Sequence, residues 1–324
     1  MTNQFIKEMK KSMKLPVIVA PMFLISNPTM VIESCKEGVI GTFPALNART
    51  GNDFASWMEQ IKEELAKHKD TFPADKLAPW GVNFIAHRSN KRYEEDLELI
   101  KKHKPPIIIT SLGDPSPVVE IVHEYGGLVL SDVINPYFAK KAIEKGSDGL
   151  VLVSNGAGGH GGTLNPVAFI NEVKKFFSGP IVLAGSLSKG KDILAAEILG
   201  ADFAYIGSRF IATEESSAEQ DYKDMVIDSN IDDIMYTDAF SGVNGNYLIP
   251  SIRRAGLDPK QLEQPDEVSF DKMNQTDAKV WKDIWGAGQG VGMISKMQPL
   301  KEVVEELHKG YTKAVSDIVD KKHE

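Results

Sequence analysis

One histidine stands among five glycines in the stretch SNGAGGHGG, which runs from Ser154 to Gly162. Glycine loses more conformational entropy on folding than any other residue, so a glycine cluster marks a sharp turn or a close approach of the backbone to another group. His160 is the one side chain in this cluster that can exchange a proton near neutral pH. The stretch predicts a turn, a ligand site or both, with His160 as a candidate acid or base. An imidazole that only caps a helix or binds a carbonyl is the open alternative.

Two further stretches combine glycine, serine and a following helical segment. AGSLSKG begins at Ala184, and GSRF begins at Gly207. Free N–H groups in such a turn, together with a helix N-terminus, can bind an anion. One such loop alone is equally well explained as a tight turn with a helix cap, whereas two successive loops favour a phosphorylated ligand.

Eight short aliphatic runs recur along the chain, each bounded by Gly, Pro, Asn or Asp and each too short for a helix. They are Pro16–Ala20, Gly38–Thr42, Gly81–Ile85, Ile107–Thr110, Leu128–Ser131, Leu150–Ser154, Ile181–Ala184 and Phe203–Ile206. Segments of helical spacing and composition alternate with these runs, which is typical of a parallel sheet covered on both faces. We therefore predict an α/β fold, a closed (β/α)₈ TIM barrel in preference to an open doubly wound sheet. Its active site should lie on the loops at the carboxyl ends of the strands.

The alternation of strands and helices stops after about residue 216. Residues 217–289 are rich in acidic residues, Asn, Gly and Pro, and we predict that they form a smaller inserted cap domain over a barrel of residues 1–216. Residues 290–324 carry apolar side chains at helical spacing, so this C-terminal segment should pack back on the barrel.

Composition and charge restrict the partners. The formal net charge of the 324 residues is -8, which gives no basic surface for nucleic acid. Cys35 is the only cysteine and is expected to be buried and inert, and no apolar run approaches the ~20 residues of a membrane helix. LPVIVAPMFLI, from Leu15, is interrupted by two prolines and predicts a strand rather than a secretory signal. We expect a soluble cytoplasmic protein that binds a small molecule, neither nucleic acid nor membrane, with a homodimer left open.

A metal site is not expected. Asp114 and Asp132 lie at predicted strand ends, but no histidine or carboxylate accompanies either at the spacing of a metal site.

The motifs APMF, GVNF, GAGGHGG and GADFAYIGSRFIATEES together resemble the nitronate monooxygenase family, also called 2-nitropropane dioxygenases, over most of residues 15–216. The resemblance implies an FMN-binding TIM barrel that oxidises alkyl nitronates with O₂, giving a carbonyl product and nitrite. FMN-dependent enoyl-acyl-carrier-protein reductases share this framework. An NAD(P)H-dependent FMN reductase acting on an enoyl thioester or a quinone is therefore the alternative, and a non-catalytic barrel that binds a phosphorylated metabolite is a third.

The same resemblance assigns roles to residues of this chain. It implies that His160 is the active-site histidine, that Asn83 reaches the polar edge of the flavin, and that main-chain N–H groups hold the FMN phosphate. The predicted cofactor-binding set is Pro21, Met22, Phe23, Asn83, Ser131, Gly158, Gly159, Gly185, Ser186, Tyr205, Ile206, Gly207, Ser208 and Gln289, the last because it lies in the glycine-rich stretch WGAGQGVGMI where the chain re-enters the barrel.

Three positions depart from the family pattern. Val153 stands where glutamine is common, Ser186 where a second glycine is common, and Gly156 where a polar residue is usual. Two other features allow two interpretations each. Arg209 contacts either the phosphate or a structural carboxylate, and we favour the carboxylate. The stretch NGNY from Asn244 either closes over the substrate or forms a surface turn.

Overall fold

Eight parallel strands close into a barrel in the computed structural model, which describes residues 2–240, 242–262 and 283–320. The barrel strands are β1 (Val17–Val19), β2 (Ile40–Pro44), β3 (Trp80–Ile85), β4 (Ile107–Ser111), β5 (Leu128–Val133), β6 (Gly149–Val153), β8 (Ile181–Ala184) and β9 (Phe203–Ile206). They follow one another around the barrel in chain order, and β9 pairs with β1 to close it. The predicted TIM barrel is confirmed.

Helices surround the barrel, except that the N-terminal helix packs against its interior. They are α1 (Thr2–Lys11), α2 (Pro28–Lys36), α3 (Gly51–Thr71), α4 (Tyr93–His103), α5 (Ser116–Glu124), α6 (Pro136–Glu144), α7 (Pro166–Lys174), α8 (Gly190–Leu199), α9 (Ser208–Ile211), α10 (Gln220–Asp228), α11 (Ile249–Arg254) and α12 (Leu300–Asp320). Asn27, Thr50 and Asn135 cap the N-termini of α2, α3 and α6 by accepting main-chain N–H bonds. No helix within the described ranges is both long enough and apolar enough to cross a bilayer.

The barrel interior follows the two-residue alternation of side chains along a strand. On β5, Leu128 and Leu130 join the apolar cluster of the lumen, whereas Val129 and Val133 belong to clusters under the outer helices. Met9 and other residues of the N-terminal segment belong to the lumen cluster, so this segment packs against the interior of the barrel. At the carboxyl ends of β3, β4 and β5 the inward-facing residues are polar, namely Asn83, Ser111 and Asp132.

A second, three-stranded sheet stands outside the barrel. It contains β7 (Gly159–His160), β10 (Ile234–Thr237) and β11 (Gly245–Leu248) in the order β10-β11-β7. NGNY therefore contributes a strand in which Tyr247 is fully buried, so its interpretation as a surface turn is wrong. Residues 263–282 of the predicted cap lie outside the described residues, and the division into barrel and cap domain stays a proposal.

The C-terminal helix α12 packs closely against α8. A Cβ on Gly190 would lie 2.2 Å from Leu307 O, so the close approach requires glycine. Arg209 Nη2 lies 2.6 Å from Glu306 Oε2 on α12, which confirms the prediction that Arg209 pairs with a structural carboxylate. Cys35 is fully buried on α2, and burial raises the pKa of its thiol to about 12, as expected of an inert cysteine.

Candidate active site

A row of hydrogen-bonded polar side chains runs along the adjacent strands β3, β4 and β5 at the barrel mouth. The Asn83 amide donates to Ile109 O at 3.1 Å and to Ser111 Oγ at 2.7 Å. Ser111 Oγ in turn donates to Asp132 Oδ2 at 2.5 Å. Tyr205 on β9 packs against the apolar cluster that fills the barrel lumen. We call Asn83, Ser111, Asp132 and Tyr205 the polar floor.

Two buried atoms of the polar floor have no hydrogen-bond partner among the described residues: Asp132 Oδ1 and the Tyr205 hydroxyl. Burial raises the pKa of Asp132 to about 6. Burial and, secondarily, the charge of Asp132 raise the pKa of Tyr205 well above its usual range. Buried polar atoms are nearly always paired, so these two atoms indicate a place for a ligand.

Ser131 is the predicted cofactor residue that the structure does not bring to this mouth. Its hydroxyl lies 2.7 Å from both Thr110 Oγ1 and Ser147 Oγ, and it is buried among them. Asp132, the next residue, is the one that faces the lumen. In the sequence, Asp132 stands out only as a strand-end carboxylate at which no metal site is expected. The alternation after Leu128 and Leu130 is the signal that would have identified it.

The loops after β8 and β9 lie side by side because these strands pair directly. Gly185 and Ser186 have φ values of +129° and +57°, the left-handed region in which glycine is favoured. The main-chain N–H groups of Ser186, Gly207 and Ser208 donate no hydrogen bond to any group in the described part of the chain. These three N–H groups form a candidate anion cradle.

The glycine loop that carries the histidine packs on the segment before the 3₁₀ helix Gln289–Met293. Gln289 N donates to Gly156 O at 2.9 Å, and Gly288 N donates to Ser208 Oγ at 2.7 Å. A Cβ on Gly158 would lie 2.8 Å from Gly288 N. The glycines therefore permit three backbone segments to meet beside the loop after β9.

His160 lies on β7, where it is opposite Gly245 of β11. The neighbouring Asn246, which is buried, donates from Nδ2 to Ala157 O at 2.6 Å and so fixes the loop before the histidine. Burial lowers the pKa of His160 to about 4. The imidazole is therefore neutral at neutral pH, as a general base requires, and its remaining N–H can still donate a hydrogen bond.

The loop after β1 reaches the same region. Asn47 holds this loop because its Nδ2 donates to Met22 O at 3.0 Å and its Oδ1 accepts from Leu24 N at 2.9 Å. A Cβ on Gly207 would lie 3.6 Å from Met22 Sδ, so Met22 adjoins the anion cradle. Phe23 is 40% exposed.

The structure thus places the other predicted cofactor residues at the carboxyl end of the barrel or on the loops there. They are Pro21, Met22, Phe23, Asn83, Gly158, Gly159, Gly185, Ser186, Tyr205, Ile206, Gly207, Ser208 and Gln289. The Ile206 side chain lies in an outer apolar cluster, which leaves only its main chain available to a ligand. Within the described residues, no group of three or more His, Cys, Asp or Glu side chains is arranged to hold a metal ion.

Comparisons with known proteins agree with this architecture. The sequence model of the nitronate monooxygenase family matches residues 5–310. A nitronate monooxygenase of Neurospora crassa is 25% identical, with 91% of this chain and 88% of that protein covered. FabK from Thermotoga maritima superposes with a TM-score of 0.79 at 21% identity, covering 97% of this chain and 98% of that one. A nitroalkane oxidase from Streptomyces ansochromogenes superposes with a TM-score of 0.77 at 21% identity, covering 95% of this chain and 99% of that one. At these identities the two structures show the shared fold alone, whereas the family match shows that this chain belongs to the nitronate monooxygenase family of oxidoreductases.

Proposed function

We propose that this protein binds FMN and oxidises alkyl nitronates with O₂, giving a carbonyl product and nitrite. The observation that carries the proposal is the position of His160, a neutral and partly buried imidazole on β7 at the carboxyl end of the barrel. Membership of the nitronate monooxygenase family and the name of the Neurospora relative support this choice of substrate class.

The residues present fit FMN. The N–H groups of Ser186, Gly207 and Ser208, which have no acceptor within the described ranges, would hold its phosphate, since such groups bind anions at strand ends and helix starts. Gly158 and Gly159 present backbone without side chains, and a Cβ on Gly159 would meet none of the described residues within 4 Å, which leaves room for a flat ring. When bound, FMN supplies the redox chemistry.

His160 would act on the substrate. A nitronate carries its negative charge on oxygen, and a neutral imidazole can donate one N–H bond to that oxygen without a prior change of protonation. For a neutral nitroalkane, the same ring can accept the proton that must first leave carbon. A pKa lowered to about 4 keeps the ring neutral, which is the form that can accept this proton.

The test is anaerobic reduction of the FMN-loaded protein. We expect the purified protein to bind FMN and show flavin absorption, and propane 2-nitronate to bleach that absorption while NADH does not. In air, the nitronate should release nitrite. Rapid bleaching by NADH with none by the nitronate would contradict the proposal and favour the NAD(P)H-dependent reductase. A protein that refuses FMN would favour the barrel that binds a phosphorylated metabolite without turnover.

A further inference from the structure

Asp132 and Tyr205 each leave one polar atom in the barrel mouth without a hydrogen-bond partner in the described part of the chain. β5 and β9 carry these residues, and β6 and β8 separate the two strands in the barrel. Asp132 Oδ1 and the Tyr205 hydroxyl are both buried and lack a partner among the described residues. The carboxylate is close enough for its charge to raise the pKa of the phenol. Strand alternation after Leu128 and Leu130 turns Asp132 toward the lumen, and Tyr205 packs against the same lumen cluster, so both side chains face the interior of the barrel.

The rest of the polar floor holds Asp132 in place. Ser111 Oγ donates to Asp132 Oδ2, and the Asn83 amide donates to Ser111 Oγ. Each of these bonds uses a group whose own position is set by a barrel strand. Only Oδ1 is left for a ligand, which makes Asp132 a single, oriented acceptor.

The chemistry of this pair restricts what can bind there. A carboxylate oxygen requires a hydrogen-bond donor, and an anion beside it would be repelled. The phenol hydroxyl can donate to a carbonyl. A nitronate fits this position poorly because it is itself an anion. A ring edge with an N–H next to a carbonyl satisfies both atoms.

The flavin ring has such an edge, with N3–H between two carbonyl groups. We propose that Asp132 accepts a hydrogen bond from N3–H of FMN and that Tyr205 donates one to an adjacent ring carbonyl. This inference rests on the proposed function, because it takes FMN as the ligand. Both are positioning residues that orient the ring and leave the substrate on the side of His160.

The proposal is tested by comparing FMN with 3-methyl-FMN, which lacks the N3–H. Dissociation constants are measured at pH 8, where Asp132, with a pKa of about 6, is ionised. In the parent protein 3-methyl-FMN should bind about tenfold to a hundredfold more weakly, the expected loss for a hydrogen bond to a charged group. In Asp132→Ala the two ligands should bind alike. Tyr205→Phe should weaken both by a similar factor, because both keep the carbonyls.

Two control variants separate this effect from general damage. Asp114→Asn removes an exposed carboxylate bonded to Lys145 and Ser116, and Thr110→Val removes a hydroxyl bonded to Ser131. Both should keep the parent's preference for FMN over 3-methyl-FMN. A preference that Asp132→Ala retains in full would overturn the inference and leave the proposed function intact.

A measurement on the parent protein avoids any dependence on a folded variant. FMN labelled with ¹⁵N at N3 should give a bound N3–H proton signal that is shifted downfield and slow to exchange with water. A signal that stays at its solvent position would overturn the role of Asp132 even though FMN is bound. A parent protein that binds neither flavin would overturn the inference and the proposed function together.

Discussion

His160 lies opposite Gly245 in the antiparallel pairing of β7 with β11, so a segment outside the barrel strands holds the candidate catalytic imidazole. The same segment fixes the preceding loop through the bond from Asn246 Nδ2 to Ala157 O. The position of the histidine therefore depends on β11, which lies about 85 residues later in the chain. We expect changes in β11 to alter activity.

Asn246→Ala tests that dependence. The change leaves the Ala157 carbonyl without its donor, so the free energy of unfolding should fall by about 1–3 kcal/mol. The rate of nitronate oxidation should fall as well, because the loop before His160 loses its anchor. Urea unfolding and kcat/KM measure the two effects. Asn244→Ala is the matched control, since Asn244 bonds Gly161 N through its main-chain carbonyl alone. Equal effects of the two variants would contradict this account.

The eight barrel strands could be predicted because each is a short apolar run with its own boundaries. β2 begins two residues later than predicted, at Ile40, which is within the normal uncertainty of strand ends. β7 could not be predicted, because Gly159 and His160 become a strand only through pairing with β11. Local sequence does not contain that pairing.

The candidate site was predicted in part. The glycine and serine loops carry their own chemistry, and the structure places them together at adjacent strands. Ser131 is predicted to bind the cofactor, whereas the strand alternation turns Asp132 inward and Ser131 outward. The partners of a buried side chain depend on which neighbouring strands meet it, and a single sequence does not give that arrangement.

The ring of His160 should titrate near pH 4 in the folded protein. Burial lowers its pKa to about 4, below the usual 6.5, so protonation favours the unfolded state. Its contribution to stability is complete above pH 6.5 and is lost as the pH falls toward 4. NMR titration of the ring, assigned by the signal missing in His160→Asn, measures this value. A midpoint at 6.5 or above would show that the imidazole is not desolvated.

Asp132 should destabilise the apoprotein when it ionises. Its folded pKa of about 6 lies above the ordinary 3.8, so the carboxyl group favours the unfolded state increasingly as the pH rises from about 4 to 6. Asp132→Asn should therefore stabilise the FMN-free protein at pH 8 by about 1–3 kcal/mol, and by much less at pH 4. Urea unfolding at the two pH values checks this. Asp114, whose pKa is lowered to about 2, is the control, and Asp114→Asn should not be stabilising.

Ser186→Gly should increase stability. Ser186 has a φ of +57°, which costs a non-glycine residue about 1–2 kcal/mol, and the added flexibility of glycine offsets part of this gain. We expect a net increase of about 0.5–1 kcal/mol in the free energy of unfolding. Ser208→Gly is the comparison, because it removes the acceptor of Gly288 N and should destabilise. A destabilised Ser186→Gly would show that the hydroxyl itself holds the loop.

The role of His160 is tested most directly by the rate at which propane 2-nitronate bleaches the bound flavin of His160→Asn in a single anaerobic turnover. We predict a rate constant lower than that of the parent protein by about a hundredfold or more, with the FMN dissociation constant changed less than about twofold. A variant that binds FMN and is bleached at the parent rate would contradict the account.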